Sequence, residues 1–320
     1  SWSIELPAAW TLNGVWGTSS SDVFAVGRGG TVLHYDGTEW SEMTSGTTAG
    51  LYAVWGTSSS DVYAVGTNGV ILHYDGTQWT EMTSGTTDAL YAVWGTPSTD
   101  IYAVGQYGVI LQHDGTQWTE MTSGRIKPLS GAWGTSSSDV YAVGDGGTIL
   151  QYDGTAWSTM TSPTYYYWLY DVWGTSSSDV YAVGDYTILR FDGTEWSEAW
   201  SQRTRPKNYW LHAVWGTSST DIYTVGYSYD GAAPTGTILH FDGTEWSEMT
   251  SGTSEMLYAV WGTSSTDVYA VGGSTILHYD GSSWSAMTSG TTNGLCAVWG
   301  TSSGDVYAVG DWGIILRGTR

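Results

Sequence analysis

Trp55-Gly56-Thr57-Ser58-Ser59-Ser60-Asp61-Val62-Tyr63-Ala64-Val65-Gly66 is the stretch whose reading decides the fold. It recurs eight times, with small changes, along a chain of 320 residues. The Trp-Gly-Thr string stands at Trp16, Trp55, Trp94, Trp133, Trp173, Trp215, Trp261 and Trp299, in steps of 39, 39, 39, 40, 42, 46 and 38. Six residues after each Trp sits an Asp, from Asp22 and Asp61 to Asp305. An Asp-Gly pair follows in seven of the units, at Asp36, Asp75, Asp114, Asp153, Asp192, Asp242 and Asp280, and a second Trp comes four residues after each. A fixed period near 40 marks a repeat architecture. The repeats fill the chain, so residues 1–320 read as one domain with no linker.

Within the unit 51–85, four short runs follow one another: 51–56, Asp61–Gly66, 70–74 and 78–82. Each is rich in β-branched and aromatic residues and bounded by Gly, Ser, Asn or Asp, which is the signature of a strand. Asp75-Gly76 between the third and fourth runs predicts a two-residue type I′ hairpin, with φ > 0 at both central residues. No 3.6-residue apolar period occurs, so no helix is expected. Four antiparallel strands per ~40 residues is the period of a propeller blade.

Strand order follows from residue size and charge. Two residues before each repeat Trp lie Gly14, Ala53, Ala92, Gly131, Asp171, Ala213, Ala259 and Ala297. Seven of these eight are Gly or Ala, as the crowded axis requires, so the first strand is expected innermost. The second and third runs are apolar on both faces. The fourth carries Glu39, Glu42, Glu81, Glu120, Glu195, Glu198, Glu245 and Glu248, and charge protects an outer edge from pairing. Trp2-Ser3-Ile4-Glu5 matches the fourth-strand pattern Trp40-Ser41-Glu42, whereas the chain ends at 314–317 with a third strand lacking a fourth. The expected fold is therefore an all-β, closed eight-bladed β-propeller, with the N-terminal strand completing the last blade.

The hairpin Tyr74-Asp75-Gly76-Thr77-Gln78-Trp79 resembles the Asp-box, Asp-x-Gly-x-x-Trp, of sialidase-type propellers. Its spacing is shorter, and the Ser before the Asp is absent. The unit as a whole is similar to tandem repeats of secreted bacterial and archaeal propellers. That resemblance covers the whole chain and implies a fold rather than an activity. The arginine cluster of a sialidase cannot be drawn from nine scattered basic residues, and the tryptophan-docking motif of eight-bladed quinoproteins is not matched.

Composition narrows the functions. There are 9 Lys+Arg against 31 Asp+Glu, a formal net charge of −22, so a phosphate backbone is a poor partner. No apolar run approaches the ~18 residues that span a membrane. One cysteine among 320 residues offers neither an internal disulfide nor a zinc cluster. A start at Ser1, without Met or a signal-type segment, leads to the expectation of a mature or excised product. The Ser, Thr and Gly richness and the acidic balance suit a secreted or cell-surface protein.

The repeated residues read first as architecture. The sixteen repeat tryptophans fill the space between sheets. The Asp61 set is expected to accept local backbone N–H groups in its Ser-rich turn, and the Asp75 set to favour its hairpin. Neither set has the spacing of a calcium loop. His34, His73, His240 and His278 share one strand position with Gln112, Gln151, Arg190 and Arg317. A metal ligand is not exchanged so freely, so these read as surface or inter-blade hydrogen-bonding residues. Cys296 stands where Tyr52 stands and reads as a buried small hydrophobe. Asp171 reads as a residue lining a wet central channel. No Ser-His-acid constellation or phosphate loop occurs, so no enzyme activity and no cofactor are expected.

Antiparallel topology places the turns between strands one and two, and three and four, on one end of the ring. This uniform end carries fifteen of the 31 acidic residues. The turns between strands two and three, and the links between blades, lie on the other end. There the pattern breaks: links are inserted at 163–169 and 199–212 and a hairpin at 227–236. The five tryptophans outside the repeat sets (Trp10, Trp168, Trp200, Trp210, Trp312) map to this variable end, as do six of nine basic residues. Aromatic and Arg side chains are the usual anchors of interfaces, and repeat proteins bind through insertions on one face. The expected binding residues are Arg125, Lys127, Tyr165, Tyr166, Tyr167, Trp168, Trp200, Arg203, Arg205, Lys207, Tyr209, Trp210, Tyr227 and Tyr229. The first functional reading is a non-catalytic extracellular module that docks a protein or a second copy of itself. The second is a multivalent lectin stacking sugars on repeated aromatic sites. An enzyme with no sequence signature is a remote third.

Overall fold

The computed structural model describes residues 2–7, 10–96, 100–124, 127–201 and 207–318. The described chain forms eight four-stranded antiparallel sheets, seven of them with their strands in sequence order and the eighth completed by the N-terminal strand. Blade 2 is representative, running from Leu51–Ser58 at one edge through Asp61–Gly66 and Ile71–Tyr74 to Trp79–Met82 at the other. The first strands of successive blades touch one another around a closed ring, so they are innermost. Blade 1 spans 12–42, blade 3 90–120, blade 4 129–159, blade 5 169–201, blade 6 208–249 and blade 7 259–287. Blade 8 joins 295–318 to the N-terminal strand Trp2–Pro7, which pairs antiparallel with Ile314–Gly318, Ser3 opposite Arg317. The ring is thus closed by hydrogen bonds between the two ends of the chain.

The Trp-Gly dipeptide has a packing cause. Each repeat Trp lies over the Gly of the next blade's Trp-Gly. A Cβ built on Gly56 would lie 2.7 Å from Trp16 Cη2, one on Gly95 2.8 Å from Trp55 Cη2, and one on Gly17 2.7 Å from Trp299 Cη2. The last pair spans the ring closure, so the eight tryptophans and eight glycines interlock head to tail without a break. The second Trp set packs between outer strands, six members buried and Trp2 and Trp284 half-buried. Six of these indoles donate N–H to a Met sulfur on the preceding blade's outer strand, as Trp79 does to Met43 at 3.4 Å and Trp196 to Met160 at 3.1 Å. Both sets are therefore packing residues, as their sequence positions suggested.

Two details differ from the sequence reading. The loop between third and fourth strands is not a two-residue type I′ turn. Tyr74 pairs with Trp79, leaving four loop residues, and only Gly76 takes a positive φ, +92°. Asp75 stays in the ordinary region because its carboxylate does the work: Oδ1 accepts from Thr77 N (2.8 Å), Thr77 Oγ1 (2.6 Å) and Gln78 N (2.9 Å). The seven loops of this kind hold their Asp carboxyls down at about 2 by the same three donors. The Asp61 set is held by side chains of its own blade. Asp61 takes the hydroxyl of Thr57 on Oδ2, and its Oδ1 lies 2.9 Å from His73 Nε2. Gln112 and Arg190 make the corresponding bond to Asp100 and Asp179. The His/Gln/Arg position thus braces its own blade, tying the third strand to the turn between first and second, and bridges blades as expected only at Arg317, which also donates to the Tyr35 hydroxyl of blade 1.

Candidate functional site

The variable end gathers the exposed aromatic surface. Eight aromatic side chains of the described residues are exposed, namely Trp10, Tyr52, Tyr107, Tyr165, Tyr166, Tyr229, Tyr258 and Trp312, and all eight lie on this end. Tyr166 is the extreme at 91%.

Two sequence positions build this surface. The first is the residue before the small axial one: Asn13, Tyr52, Tyr91, Ser130, Tyr170, His212, Tyr258 and Cys296. In seven blades it is the unpaired residue of a β-bulge, as between Leu51 and Ala53 and between Leu90 and Ala92. A bulge re-aims its side chain. Here it brings neighbouring blades into contact around the channel mouth: Tyr52 and Tyr91 rings are 5.6 Å apart, Tyr170 and His212 5.0 Å, His212 and Tyr258 5.4 Å.

The second position is the middle of the tight turn between second and third strands, which is left-handed. Gly29, Asn68 and Gly146 suit it. Tyr107, Tyr186 and Trp312 occupy it as well, with φ of +57°, +60° and +56°. A left-handed non-glycine residue costs about 1–2 kcal/mol. The chain accepts that cost three times to hold an aromatic ring at this end, and such strain concentrates at functional positions.

The insertions around blade 6 lengthen its strands, whereas the link at 163–168 stays outside regular structure. In blade 6 the inner strand extends to Asn208–Ser218 and its neighbours to Asp221–Tyr229 and Pro234–Phe241. Trp210 stacks on Tyr227 at 4.7 Å with 11° between the rings, and Tyr186 joins them at 5.6 Å from Trp210. Tyr167 extends the run, 5.2 Å from Tyr186. Beneath these lies a polar anchor. Asp185 accepts from the Tyr170 hydroxyl at 2.9 Å and the Trp168 backbone N–H at 3.2 Å, while the Trp168 indole donates to Ser130 Oγ at 2.7 Å. Burial nevertheless raises the Asp185 carboxyl above its ordinary value. Burial also lowers His212 to about 4, so the imidazole is neutral at pH 7 and packs as an aromatic ring. The Cys296 thiol is half-buried and pushed up to about 11 by burial, an unreactive group.

The expected binding residues divide by environment. Tyr165, Tyr166 and Tyr229 are exposed; Tyr167, Trp168, Trp210 and Tyr227 are half-buried within the aromatic run. Tyr209 is buried, with its hydroxyl bonded to Glu248 Oε2 at 2.9 Å, so it packs rather than docks. Trp200 lies in the outer strand Trp196–Ser201, edge-on to Tyr209 at 5.0 Å, and is likewise half-buried. Lys207 pairs with Glu248 at 3.3 Å and Lys127 with Asp145 at 3.9 Å. Arg125, Arg203 and Arg205 lie outside the described residues. Sequence reasoning missed the bulge row and the left-handed row. Their signal was present as two positions that vary between otherwise uniform repeats. Among the described residues no group of three or more His, Cys, Asp or Glu could hold a metal ion.

At the axis, Asp171 replaces the usual small residue and braces two blades. Its carboxylate accepts Val172 N on one oxygen and Val214 N of the next blade on the other, both at 2.9 Å. Burial dominates over these bonds and pushes its pKa up to about 6.

No protein-family profile matches the chain, and no curated protein matches it. Solved structures do. YCF48 bound to D1 peptide superposes with a TM-score of 0.67 at 14% identity, covering 100% of this chain and 95% of that one. Sqt1 of Chaetomium thermophilum, bound to the N-terminus of the ribosomal protein L10, gives 0.77 at 12% identity and 99% and 98% coverage. The computationally designed Ika8 protein gives 0.79 at 15% identity and 99% and 98% coverage. At such identities the likeness is one of fold, a tandem-repeat β-propeller.

Proposed function

We propose that this chain is a non-catalytic binding module that receives a polypeptide segment across the channel mouth at the variable end. The observation that carries this reading is the placement of every exposed aromatic of the described residues on that end, three blades holding an aromatic against backbone preference. Exposed aromatic rings anchor polypeptide interfaces. Two propellers of the same fold, YCF48 and Sqt1, are described with a peptide or a protein N-terminus bound, which supports the same class of partner here. A secreted or cell-surface setting belongs to this reading, on the composition alone.

A phage-displayed random peptide library panned on the full chain tests it. Selected peptides should lose at least about 30-fold in affinity for a Tyr107→Asn, Tyr166→Ser, Trp312→Gly variant, as expected for the loss of more than one anchor residue. Peptides that bind this variant as well as the parent would overturn it. A glycan array that returns several sugars bound per chain, with no peptide selected, would favour the lectin reading instead.

A further inference from the structure

Blades 4 and 5 carry the same turn with different chemistry. In blade 4 the turn Asp145-Gly146 holds a cation of its own chain. Lys127, from the link before the blade, lies 3.9 Å from Asp145 Oδ2, and its Nζ fills the space that a Cβ on Gly146 would need. In blade 5 Asp185 stands for Asp145, but Tyr186 stands for Gly146 and Tyr167 for Lys127. Those two rings lie 5.2 Å apart, so an aromatic frame replaces the lysine and the open glycine. Asp185 is left without a cation. Among the described residues Lys127, Arg190, Lys207 and Arg317 meet carboxylates at 2.6–3.9 Å, and none of these carboxylates is Asp185.

The fold does not need that charge. Asp185 Oδ2 accepts the Trp168 N–H of the preceding link at 3.2 Å. Thr67 Oγ1 and Gln106 Oε1, at the same turn position, accept Gly50 N at 2.9 Å and Ala89 N at 3.3 Å. A neutral acceptor therefore serves the brace, and burial opposes the charged form of Asp185. Aromatic side chains nevertheless gather about this carboxylate. Tyr170 donates its hydroxyl to Oδ1 at 2.9 Å, and the Trp210 backbone bridges that of Asp185. Burial first, and then the Asp185 charge, raise the hydroxyls of Tyr170, Tyr186 and Tyr227 above their ordinary value, so all three face one anion. Trp210 lies 5.6 Å from Tyr186 and stacks on Tyr227. Asp185 and these four rings are half-buried, and none is sealed from solvent.

We propose that the aromatic frame over Asp185 binds a cationic side chain, Arg or Lys, of the polypeptide received at the variable end, an anchor that rests on the polypeptide reading. The cation completes with Asp185 the ion pair that Lys127 makes in blade 4. Tyr186 and Trp210 supply ring faces that attract an ammonium or guanidinium group. The net charge of −22 steers a cationic segment toward this chain.

The test is an NMR titration of the full chain, labelled at its indole nitrogens, with N-acetyl-arginine amide. The blocked citrulline analogue, nearly isosteric but neutral, is the control. The Trp210 indole signal, identified by its loss in Trp210→Phe, should shift saturably with the arginine compound, and citrulline should bind about tenfold more weakly. Asp185→Asn keeps an acceptor for the Trp168 N–H and should weaken arginine binding about tenfold. Tyr186→Gly, which restores the residue type of blade 4, should weaken it about threefold. Asp75→Asn removes the same charge from the uniform end and should leave the affinity unchanged. Absence of a saturable shift, equal binding of citrulline, or unaltered affinity in folded Asp185→Asn would each overturn the proposal. An equal loss in Asp75→Asn would do so too, since it would reduce the effect to general attraction by an acidic protein. Selected library peptides that lack Arg and Lys would leave the polypeptide reading standing and overturn this anchor. Binding of the arginine compound with no peptide selected would overturn the polypeptide occupant.

Discussion

Replacing the glycine of a single Trp-Gly pair tests the interlock that closes the ring. A Cβ on Gly17 would lie 2.4 Å from the Asp22 carbonyl oxygen and 2.7 Å from Trp299 Cη2. Carbon–carbon contact is comfortable only near 3.5–4.0 Å, so a shift approaching 1 Å is required. Trp299 cannot simply retreat, because it stacks on Tyr307 at 6.4 Å with 28° between the rings. Overpacking of this kind costs about 1–3 kcal/mol, which for a chain of this size lowers the thermal midpoint by about 2–4 °C per kcal/mol. Gly134→Ala, in the middle of the chain, meets the same geometry: 2.4 Å to the Asp139 carbonyl oxygen and 2.8 Å to Trp94 Cη2. The two substitutions should therefore destabilise alike, although one sits at the closure. The ring contribution is isolated by a double-mutant cycle with Trp299→Phe, which removes the benzo carbons that a new methyl would strike. Gly17→Ala should cost about 1 kcal/mol less in that background, measured by urea denaturation. A coupling below ~0.3 kcal/mol, or a Gly17→Ala variant as stable as the parent, would refute the interlock.

Three further outcomes are expected. The seven Asp-Gly loops hold carboxyls at about 2 against an ordinary 3.8, so their stabilisation is complete above pH ~4 and is lost as pH falls toward 2; thermal melts across that window check it, and Asp75→Asn should flatten the decline. Asp171 has the opposite sign: its pKa is raised to about 6, so stability falls as pH rises from about 4 to about 6. Asp171→Ala should remove that part of the pH profile, and an unchanged profile would discount the burial of this carboxyl. Finally, Tyr107→Gly and Trp312→Gly should leave the thermal midpoint unchanged or raise it, because relief of left-handed strain offsets the backbone entropy of glycine; a fall of several degrees would show that these rings are packing residues.

The repeat made the fold legible without coordinates. Blade number, strand order and ring closure all follow from the Trp-Gly-Thr and Asp-Gly periods and from an orphan Trp2-Ser3-Ile4-Glu5 at the start. Local pattern suffices there because each blade is one supersecondary unit whose faces bury only against identical neighbours. The variable end was legible in outline for the same reason: insertions and stray tryptophans stand out against uniform repeats. Its content was not. Tyr209 looked like an anchor in the sequence and is buried, while Tyr107 became prominent only through a positive φ that residue type alone argues against.

What only the tertiary structure decided are relations between blades. The sequence shows a Trp, a Met and a Gly in every repeat, but not that the Trp of one blade rests on the Gly of the next, or that an indole N–H is completed by the preceding blade's sulfur. Those contacts join residues 35–47 positions apart, and 282 to 285 apart across the closure, at distances set by the curvature of the ring. The bulge at Ala199 shows why this matters. One added residue shifts the outer strand's register, and Trp246 loses the methionine sulfur that six of its counterparts find. A strand's pattern specifies which face is buried; which atom of a neighbouring blade satisfies it is settled only when the ring closes.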